Sequence, residues 1–166
     1  MNPPKGVELV LRSECGDVVE GMYLVAREAV PDIPGGERRP EPRREEWRAM
    51  DIERPDRPAD LCVVALAGKQ VVGYGVLTVE TDELVAHGLT GVLREWRGRG
   101  VGGAIKRRQI ELAKQRGFRR IAAENEFRND PIRHLNAKLG YQATTGAIFW
   151  SGPLAPQEAA RPMSSG

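Results

Sequence analysis

The chain has 166 residues, of which 40% are apolar and 29% are charged, and its formal net charge is +2. This length and composition predict one soluble globular domain with a core of its own. The small net charge argues against a nucleic-acid partner, and no apolar run approaches the ~20 residues of a membrane span. We therefore expect neither a nucleic acid nor a membrane among its partners.

The cysteines give no sign of a metal site or of a redox pair. Cys15 and Cys62 lie far apart in the sequence, without the spacing that either kind of site needs. We expect no disulfide and no bound metal. Residues 1–5 lack the apolar core of a signal peptide, so the cytoplasm is the default expectation for the location.

In chain order, residues 6–12 largely alternate apolar and polar side chains and predict a first strand. A helix is predicted next from the apolar repeat at positions 18, 22, 25 and 29, with Asp17 as its cap and an end before Pro31. Residues 31–60 are rich in proline and charge, with one amphipathic piece near residues 45–50. We interpret them as an ordered excursion or a flexible lid that shapes a substrate site, rather than as a second domain.

The rest of the chain predicts strands alternating with helices. Strands are predicted over residues 61–67, 71–79, 84–93 and 121–124, with a helix over residues 102–116 that Gly117 ends. A second helix is predicted from Asp130, its cap, to Gly140, followed by strands at residues 141–145 and 147–151. The order predicts one mixed α/β sheet in a domain of residues 1–154, with a disordered tail at residues 155–166.

The segment between the third of these strands and its helix is unusually rich in glycine. Residues 97–103 read Arg-Gly-Arg-Gly-Val-Gly-Gly, four glycines in seven positions. Glycines let the backbone approach a ligand closely, and a helix that begins there presents free N–H groups and its positive dipole end. The pattern indicates a site for an anion, usually a phosphate or pyrophosphate.

One interpretation of these glycines is a dinucleotide site. Gly98, Gly100 and Gly103 satisfy the spacing G-x-G-x-x-G, and Glu124 lies where an acid that binds ribose is expected. That fingerprint requires its first glycine at the end of a strand, whereas residues 93–97 intervene here. Too few residues follow Glu124 to complete a doubly wound sheet, so the setting argues against this interpretation.

The other interpretation takes Arg97 as the first position of the pattern Arg97-x-x-Gly100-x-Gly102, directly after a strand that ends Thr90-Gly91-Val92. This pattern resembles the GNAT family of acyltransferases, which use acetyl-CoA. The likeness continues downstream through Asn125, Asn129, Asn136 and the sequence Leu139-Gly140-Tyr141. The resemblance implies the GNAT acyl-CoA N-acyltransferase fold, a mixed, mostly antiparallel central sheet flanked by helices.

The resemblance also implies how acetyl-CoA is held. The pyrophosphate suits the glycine turn, and the peptide-like pantetheine arm suits the strand edge near Val92 and Leu93, whose backbone N–H groups are the candidate oxyanion donors. The expected CoA-binding residues are Val92, Leu93, Arg97, Gly98, Arg99, Gly100, Val101, Gly102, Gly103, Asn125, Asn129 and Asn136.

The implied reaction is direct attack of a primary amine of a small molecule on the thioester. We single out His87 as the possible general base, because imidazole titrates near neutrality. Strand alternation puts His87 on the opposite face from Thr90 and Val92, unless a bulge intervenes. Glu80, Glu124 and a water chain are the alternatives.

The general acid is where the sequence departs from the family. Many members have a tyrosine at the position of Asn136, and an amide does not donate and regain a proton at neutral pH. The CoA thiolate then leaves unprotonated or takes a proton from water, which we favour, or Tyr141 supplies the proton. This departure keeps a non-catalytic acyl-CoA-binding or regulatory module of the same fold open as an alternative function.

The sequence says less about the acceptor and about assembly. An acidic patch of Asp51, Glu53, Asp56 and Asp60 is a weak indication of a cationic acceptor, because arginines are interleaved with it. Similar GNAT units occur in tandem pairs, so a homodimer is conceivable.

Overall fold

A computed structural model describes residues 3–34, 39–124 and 129–143 of the chain. Strands and helices alternate along it in the order that the sequence predicts through residue 140. The helices and strands are β1 (Glu8–Leu11), α1 (Val19–Ala29), α2 (Arg44–Asp51), β2 (Val63–Ala67), β3 (Gln70–Val79), β4 (Leu84–Val92), α3 (Val101–Gln115), β5 (Arg120–Ala123) and α4 (Asp130–Lys138).

The strands form one sheet in the order β1-β2-β3-β4-β5. The first four pair antiparallel, and β5 runs parallel to β4. Short turns join β2 to β3 and β3 to β4, and such turns permit only antiparallel pairing. The parallel pair requires a crossover, which α3 provides. The predicted class, a mixed and mostly antiparallel sheet flanked by helices, is confirmed.

The helices cover the two faces of the sheet. Met22, Val25 and Ala26 of α1 belong to the buried cluster on one face, together with Trp47 of α2. Ile105 of α3 belongs to the cluster on the other face. The apolar repeat that the sequence shows in α1 and α3 is therefore the repeat of buried positions.

Two predicted helix caps are wrong by one residue. Val18, rather than Asp17, precedes α1, and its backbone is already helical, so the helix begins without a side-chain cap. At α4 the cap is Asn129, whose side chain accepts a bond of 3.4 Å from the Ile132 N–H, and Asp130 is the first helical residue. An asparagine side chain caps a helix as well as an aspartate does, so the sequence alone does not distinguish Asn129 from Asp130 as the cap.

The C-terminal predictions are largely beyond what the structure describes. Residues 141–143 carry no strand, contrary to the start of the strand predicted at residues 141–145. The remainder of that strand, the strand at residues 147–151 and the tail at residues 155–166 lie outside the described residues. The end of the predicted domain at residue 154 lies outside them too.

A bulge in β4 decides which side chains share a face. Thr90 pairs with Gly75, whereas His87 pairs with Leu77, so two residues of β4 lie opposite one residue of β3. The extra residue shifts the alternation of side chains, and His87 lies on the α3 face together with Thr90 and Val92. The expectation that these side chains lie on opposite faces is wrong, for the reason the sequence had left open.

A buried polar network ties the segment after α1 to the other face of the sheet. The Tyr74 hydroxyl donates to Asp51 Oδ2 at 2.6 Å and accepts from Trp47 Nε1 at 2.8 Å. Arg57 forms an ion pair with Asp51 Oδ1 at 2.6 Å and donates to Thr78 at 3.0 Å. Burial raises the pKa of Asp51, and the bonds from Tyr74 and Arg57 oppose that rise. The described part of residues 31–60 is thus an ordered excursion packed on the sheet.

We predict that Tyr74→Phe lowers the free energy of unfolding by about 1–3 kcal/mol, because it leaves the buried Trp47 N–H and one Asp51 oxygen without their partner. Tyr23→Phe is the matched control, because the Tyr23 hydroxyl makes one part-buried bond of 3.3 Å to the Pro42 carbonyl. Urea unfolding of both variants measures the difference. Equal losses would show that the network adds nothing beyond a single hydrogen bond.

Candidate active site

The glycine turn follows the end of β4 through a short 3-10 turn at Arg94–Trp96. Gly98 and Gly100 have φ angles of 73° and 87°, which side chains with a Cβ rarely adopt. Gly100 is the residue before α3, so the first amides of the helix are free of intrahelical partners. The turn therefore has the free amides and the helix dipole on which the predicted anion site depends.

Beside this turn, one edge of β4 is open. Strand β5 pairs with β4 only from the Leu84–Arg120 pair to the His87–Ala123 pair. Beyond that pair, residues 88–92 have no neighbour on the β5 side within the described ranges. The Leu93 N–H donates to the Val72 carbonyl at 3.0 Å, so the peptide groups of Val92, the preceding residue, point toward the open side. A peptide-like chain fits such an edge as an added strand.

Arg97 is oriented by the protein itself. Its Nε donates to the Val92 carbonyl at 3.0 Å, and its Nη1 lies 2.7 Å from Asp32 Oδ2. Arg94 binds the same carboxylate through two bonds of 2.8 Å. The two guanidinium groups hold the pKa of Asp32 well below its usual range. Asp32 thus fixes the start of the glycine turn to the end of α1.

Arg99 differs from Arg97 because its side chain has no carboxylate partner among the described residues. Its guanidinium lies 4.9 Å from the centroid of the Trp96 ring. An exposed arginine over an aromatic face keeps its charge and donors available. Of the two arginines in the motif, Arg99 is the one with charge available to a phosphate.

Helices α3 and α4 approach each other where the turn enters α3. A Cβ on Gly103 would lie 3.4 Å from Leu135 and 3.2 Å from Arg107. Asn136, which is 6% exposed, has a buried Oδ1 without a hydrogen bond to any described residue. Thr90 Oγ1 and Gln109 Nε2 are orphaned in the same way. Buried polar atoms are normally bonded, so these orphans fit a polar ligand such as the amide-bearing arm of CoA.

The structure places His87 where β4 and β5 separate. Its Nδ1 lies 3.1 Å from Gln109 Oε1, and its Nε2 lies 2.6 Å from the Tyr141 hydroxyl. Burial, assisted by the charge of Lys106, lowers the pKa of His87 to about 3, so the imidazole is neutral near pH 7. In this arrangement Nδ1 carries the proton and Nε2 accepts from Tyr141.

Three members of this cluster were not predicted as partners of His87. Gln109 and Lys106 fall within the helical pattern of α3, where the sequence gives no sign of burial, yet they are 0% and 2% exposed. Tyr141 was named only as an alternative proton donor. Burial raises the pKa of its hydroxyl to about 12 and lowers that of Lys106 to about 8. Only a long-range packing signal would have linked these positions to β4.

The remaining predicted residues are placed less close to this cluster. Asn129 uses its side-chain oxygen to cap α4, and Asn125 lies outside the described residues. Glu124 is exposed and directly follows Ala123, the partner of His87. Glu80 is exposed beyond the far end of β3, whose Val79 pairs with Val85, away from the open edge.

The predicted acidic patch is neutralised. Each of its four carboxylates forms an ion pair with an arginine. The pairs are Asp51–Arg57, Glu53–Arg48, Asp56–Arg54 and Asp60–Arg116. The patch therefore carries no free negative charge that would favour a cationic acceptor.

Comparison with known families agrees with the fold and the turn. Residues 23–141 match the acetyltransferase (GNAT) family. The chain belongs to this family. The match spans the open edge, the glycine turn and His87, and it ends at Tyr141. The acetyltransferase class that the sequence predicted is confirmed at the level of the family. The interpretation of the glycines as a dinucleotide site is excluded.

Solved structures of acetyltransferases share the fold of this GNAT chain. A GCN5-related N-acetyltransferase from Sphaerobacter thermophilus is 22% identical, with a TM-score of 0.64 over 84% of this chain and 42% of that one. Ard1 from Thermoplasma volcanium is 18% identical, with a TM-score of 0.68 over 84% and 85%. The aminoglycoside N-acetyltransferase AAC(6')-Iy, solved with CoA, is 14% identical, with a TM-score of 0.63 over 89% and 94%. The chain thus spans less than half of the first of these proteins.

Other comparisons add little. No curated protein matches the chain. Within residues 3–34, 39–124 and 129–143, no helix is long and apolar enough to cross a membrane. In the same part of the chain, no group of three or more histidine, cysteine or acidic side chains has the arrangement of a metal site.

We predict that the neutral His87 makes the protein acid-sensitive. Between pH 6.5 and about 3 the unfolded chain protonates this histidine and the folded chain does not, so stability falls as the pH falls through that window. Relative to His87→Asn, the wild type should lose about 1.4 kcal/mol for each pH unit below 6.5. Chemical unfolding of both proteins from pH 7 to pH 4.5 measures this.

His134→Asn, on an exposed position of α4, is the control for the His87 variant. It should keep the wild-type dependence on pH. If His87→Asn also keeps it, the histidine is protonated in the folded protein and the buried cluster is not as described.

Proposed function

We propose that this protein is an N-acetyltransferase that transfers the acetyl group of acetyl-CoA to a primary amine of a small molecule. The observation that carries the proposal is the open edge of β4, which runs from the glycine turn at one end to His87 at the other. Pyrophosphate and thioester lie at opposite ends of the pantetheine arm, and the edge offers an anion site and a neutral imidazole at its two ends.

Different residues along this edge bind different parts of acetyl-CoA. The amides of Gly100, Val101 and Gly102 and the charge of Arg99 receive the pyrophosphate. The open edge of β4 pairs with the pantetheine arm, and the outward N–H of Val92 serves the oxyanion. The Leu93 N–H, the other donor that the resemblance implies, is bonded to the Val72 carbonyl instead. The orphaned polar atoms of Thr90, Gln109 and Asn136 supply side-chain partners for the arm.

For the general base we propose His87, acting through the Tyr141 hydroxyl to which its Nε2 is bonded. The tyrosine oxygen accepts a proton from the amine as its own proton passes to His87 Nε2, over the 2.6 Å bond that joins them. Burial keeps the imidazole unprotonated near pH 7, so Nε2 is free to accept a hydrogen bond, and the same burial disfavours the imidazolium and weakens His87 as a base. Glu124, one residue from the partner of His87, is the rival base.

The proposed acetyl acceptor is a primary amine of a small molecule. A free alkylammonium has a pKa of ~10.4, so the acceptor arrives protonated and needs this base. AAC(6')-Iy, which shares the fold, is by its name an aminoglycoside acetyltransferase. A location in the cytoplasm goes with the proposal, and both cysteines are free thiols, which suits a reducing compartment.

We predict that Gly100→Ala weakens CoA binding at least tenfold. The residue has a φ angle of 87°, so a Cβ strains the turn and turns its amides away from the pyrophosphate. Gly117→Ala is the matched control, because it has a φ angle of 84° at the other end of α3. Calorimetric titration with CoA is the measurement. Equal weakening in both variants would mean that strain in α3, and not the turn, determines affinity.

The activity itself is tested by release of CoA thiol from acetyl-CoA with a panel of amines that includes polyamines, aminoglycosides and amino acids. We expect release with at least one amine, and a loss of about 10²-fold or more in kcat for Tyr141→Phe, which interrupts the proton path. CoA binding without thiol release from any amine would instead support a non-catalytic acyl-CoA module. Binding of NAD(P) without CoA would overturn both functions.

A further inference from the structure

Lys106 is a buried cation that the proposed base does not use. It is 2% exposed, although lysine is almost never fully buried unless it is paired. No carboxylate of the described residues forms an ion pair with it, and burial alone lowers its pKa to about 8. An ammonium group without a counter-charge is unfavourable in a protein interior, so its position calls for a role that a Leu or Met would not fill.

The position of Lys106 follows from how α3 lies along β4. A Cβ on Gly102 would lie 3.6 Å from Val92, and seven residues later Gln109 lies 3.1 Å from His87. The helix therefore runs antiparallel to β4 over about 10 Å of the open edge, at 1.5 Å for each residue. Lys106 lies one turn before Gln109, on the stretch between the glycine turn and His87.

The ammonium group of Lys106 points toward the end of that stretch. Its Nζ lies 5.8 Å from the centroid of the Tyr141 ring, whose hydroxyl is bonded to His87. A pantetheine arm that followed the open edge from the glycine turn toward His87 would bring the CoA thiol toward this group. The charged or titratable neighbours are His87 on β4 and Tyr141 after α4, with Arg107 adjacent on α3. In β5, Ile121, Ala122 and Ala123 are uncharged, and Arg120 is exposed at the far end of the pairing, opposite Leu84.

We propose that Lys106 stabilises and protonates the thiolate of CoA as it leaves, in place of the tyrosine that Asn136 replaces. The proposal rests on the proposed acetyl transfer. As the amide bond forms, the carbon–sulfur bond breaks and its electron pair stays on sulfur. A proton moves from Lys106 Nζ to sulfur, and the neutral lysine regains a proton from water.

The acidity of the two partners suits this transfer. A thiol has a pKa of ~8.5, close to that of the buried lysine at about 8, so the proton passes with little change in free energy. Near pH 7 the lysine is mostly protonated and ready to donate. As the pH rises through about 8 the donor is lost, so kcat should fall on the alkaline side.

The first experiment needs no acceptor amine. Ultraviolet absorbance of the thiolate reports the pKa of CoA bound to the full-length protein. We expect a pKa about 1 unit or more below that of free CoA in the wild type, and a return to the free value or above in Lys106→Met. Lys106→Arg should keep the shift, because it keeps the charge. Lys114→Met, an exposed lysine of the same helix, should behave as the wild type.

The second experiment follows turnover with an amine that supports it. We expect Lys106→Met to lower kcat about 10²-fold at pH 7 with little change in the KM for the amine, and to lose the alkaline fall in the pH profile. Lys106→Arg should also lose that fall, because its guanidinium does not release a proton.

The outcomes separate the two proposals. Bound CoA with an unshifted thiol pKa in the wild type, or equal shifts in the wild type and Lys106→Met, overturns the role of Lys106 and leaves acetyl transfer standing. Failure of the wild type to bind CoA overturns the proposed function itself. Circular dichroism of each variant confirms that it is folded, and an apolar Met in place of the buried lysine favours folding.

Discussion

The separation of β5 from β4 after the pair His87–Ala123 is the constraint on which the site depends. Up to that pair the two parallel strands bond to each other, and beyond it the N–H of Val92 has no strand partner among the described residues. The carbonyl of Val92 accepts from Arg97 of the glycine turn. A sheet that remained paired to its end would have no edge to offer. Near this edge the buried polar atoms of Thr90 and Asn136 have no partner among the described residues.

The bulge in β4 places the chemistry on that open side. It places His87 on the face of Thr90 and Val92 and against Gln109 of α3. On the opposite face, a Cβ on Gly88 would lie 2.7 Å from Val76 and 3.3 Å from the Arg57 guanidinium. Glycine at this position leaves room for Arg57, whose ion pair with Asp51 anchors the excursion after α1. Glycine at position 88 therefore lets Arg57 pack against the face of β4 opposite His87.

Charge is distributed unevenly around the site. On the surface, arginines are paired with carboxylates, as in the contact of Arg94 and Arg97 with Asp32. In the interior, Lys106 has no such partner among the described residues, and His87 is kept neutral near pH 7. A neutral acceptor of protons and a charged donor then lie within one buried cluster, next to the Tyr141 ring. Acid–base catalysis of acetyl transfer needs one group that accepts a proton and one that donates a proton, and this cluster holds a proposed residue for each role.

The sequence by itself determined the order of the elements through residue 140, the glycine turn and the family. These features are local: hydrophobic periodicity, a run of glycines before a helix, and motifs of fixed spacing. Only the tertiary structure decided the face of His87, the burial of Lys106 and the neutralisation of the acidic patch. A bulge shifts a strand's alternation without a clear sequence signal, and ion pairs such as Asp60–Arg116 join residues far apart in the chain. Local sequence patterns determine where helices and strands form, whereas contacts between helices and strands determine which side chains meet.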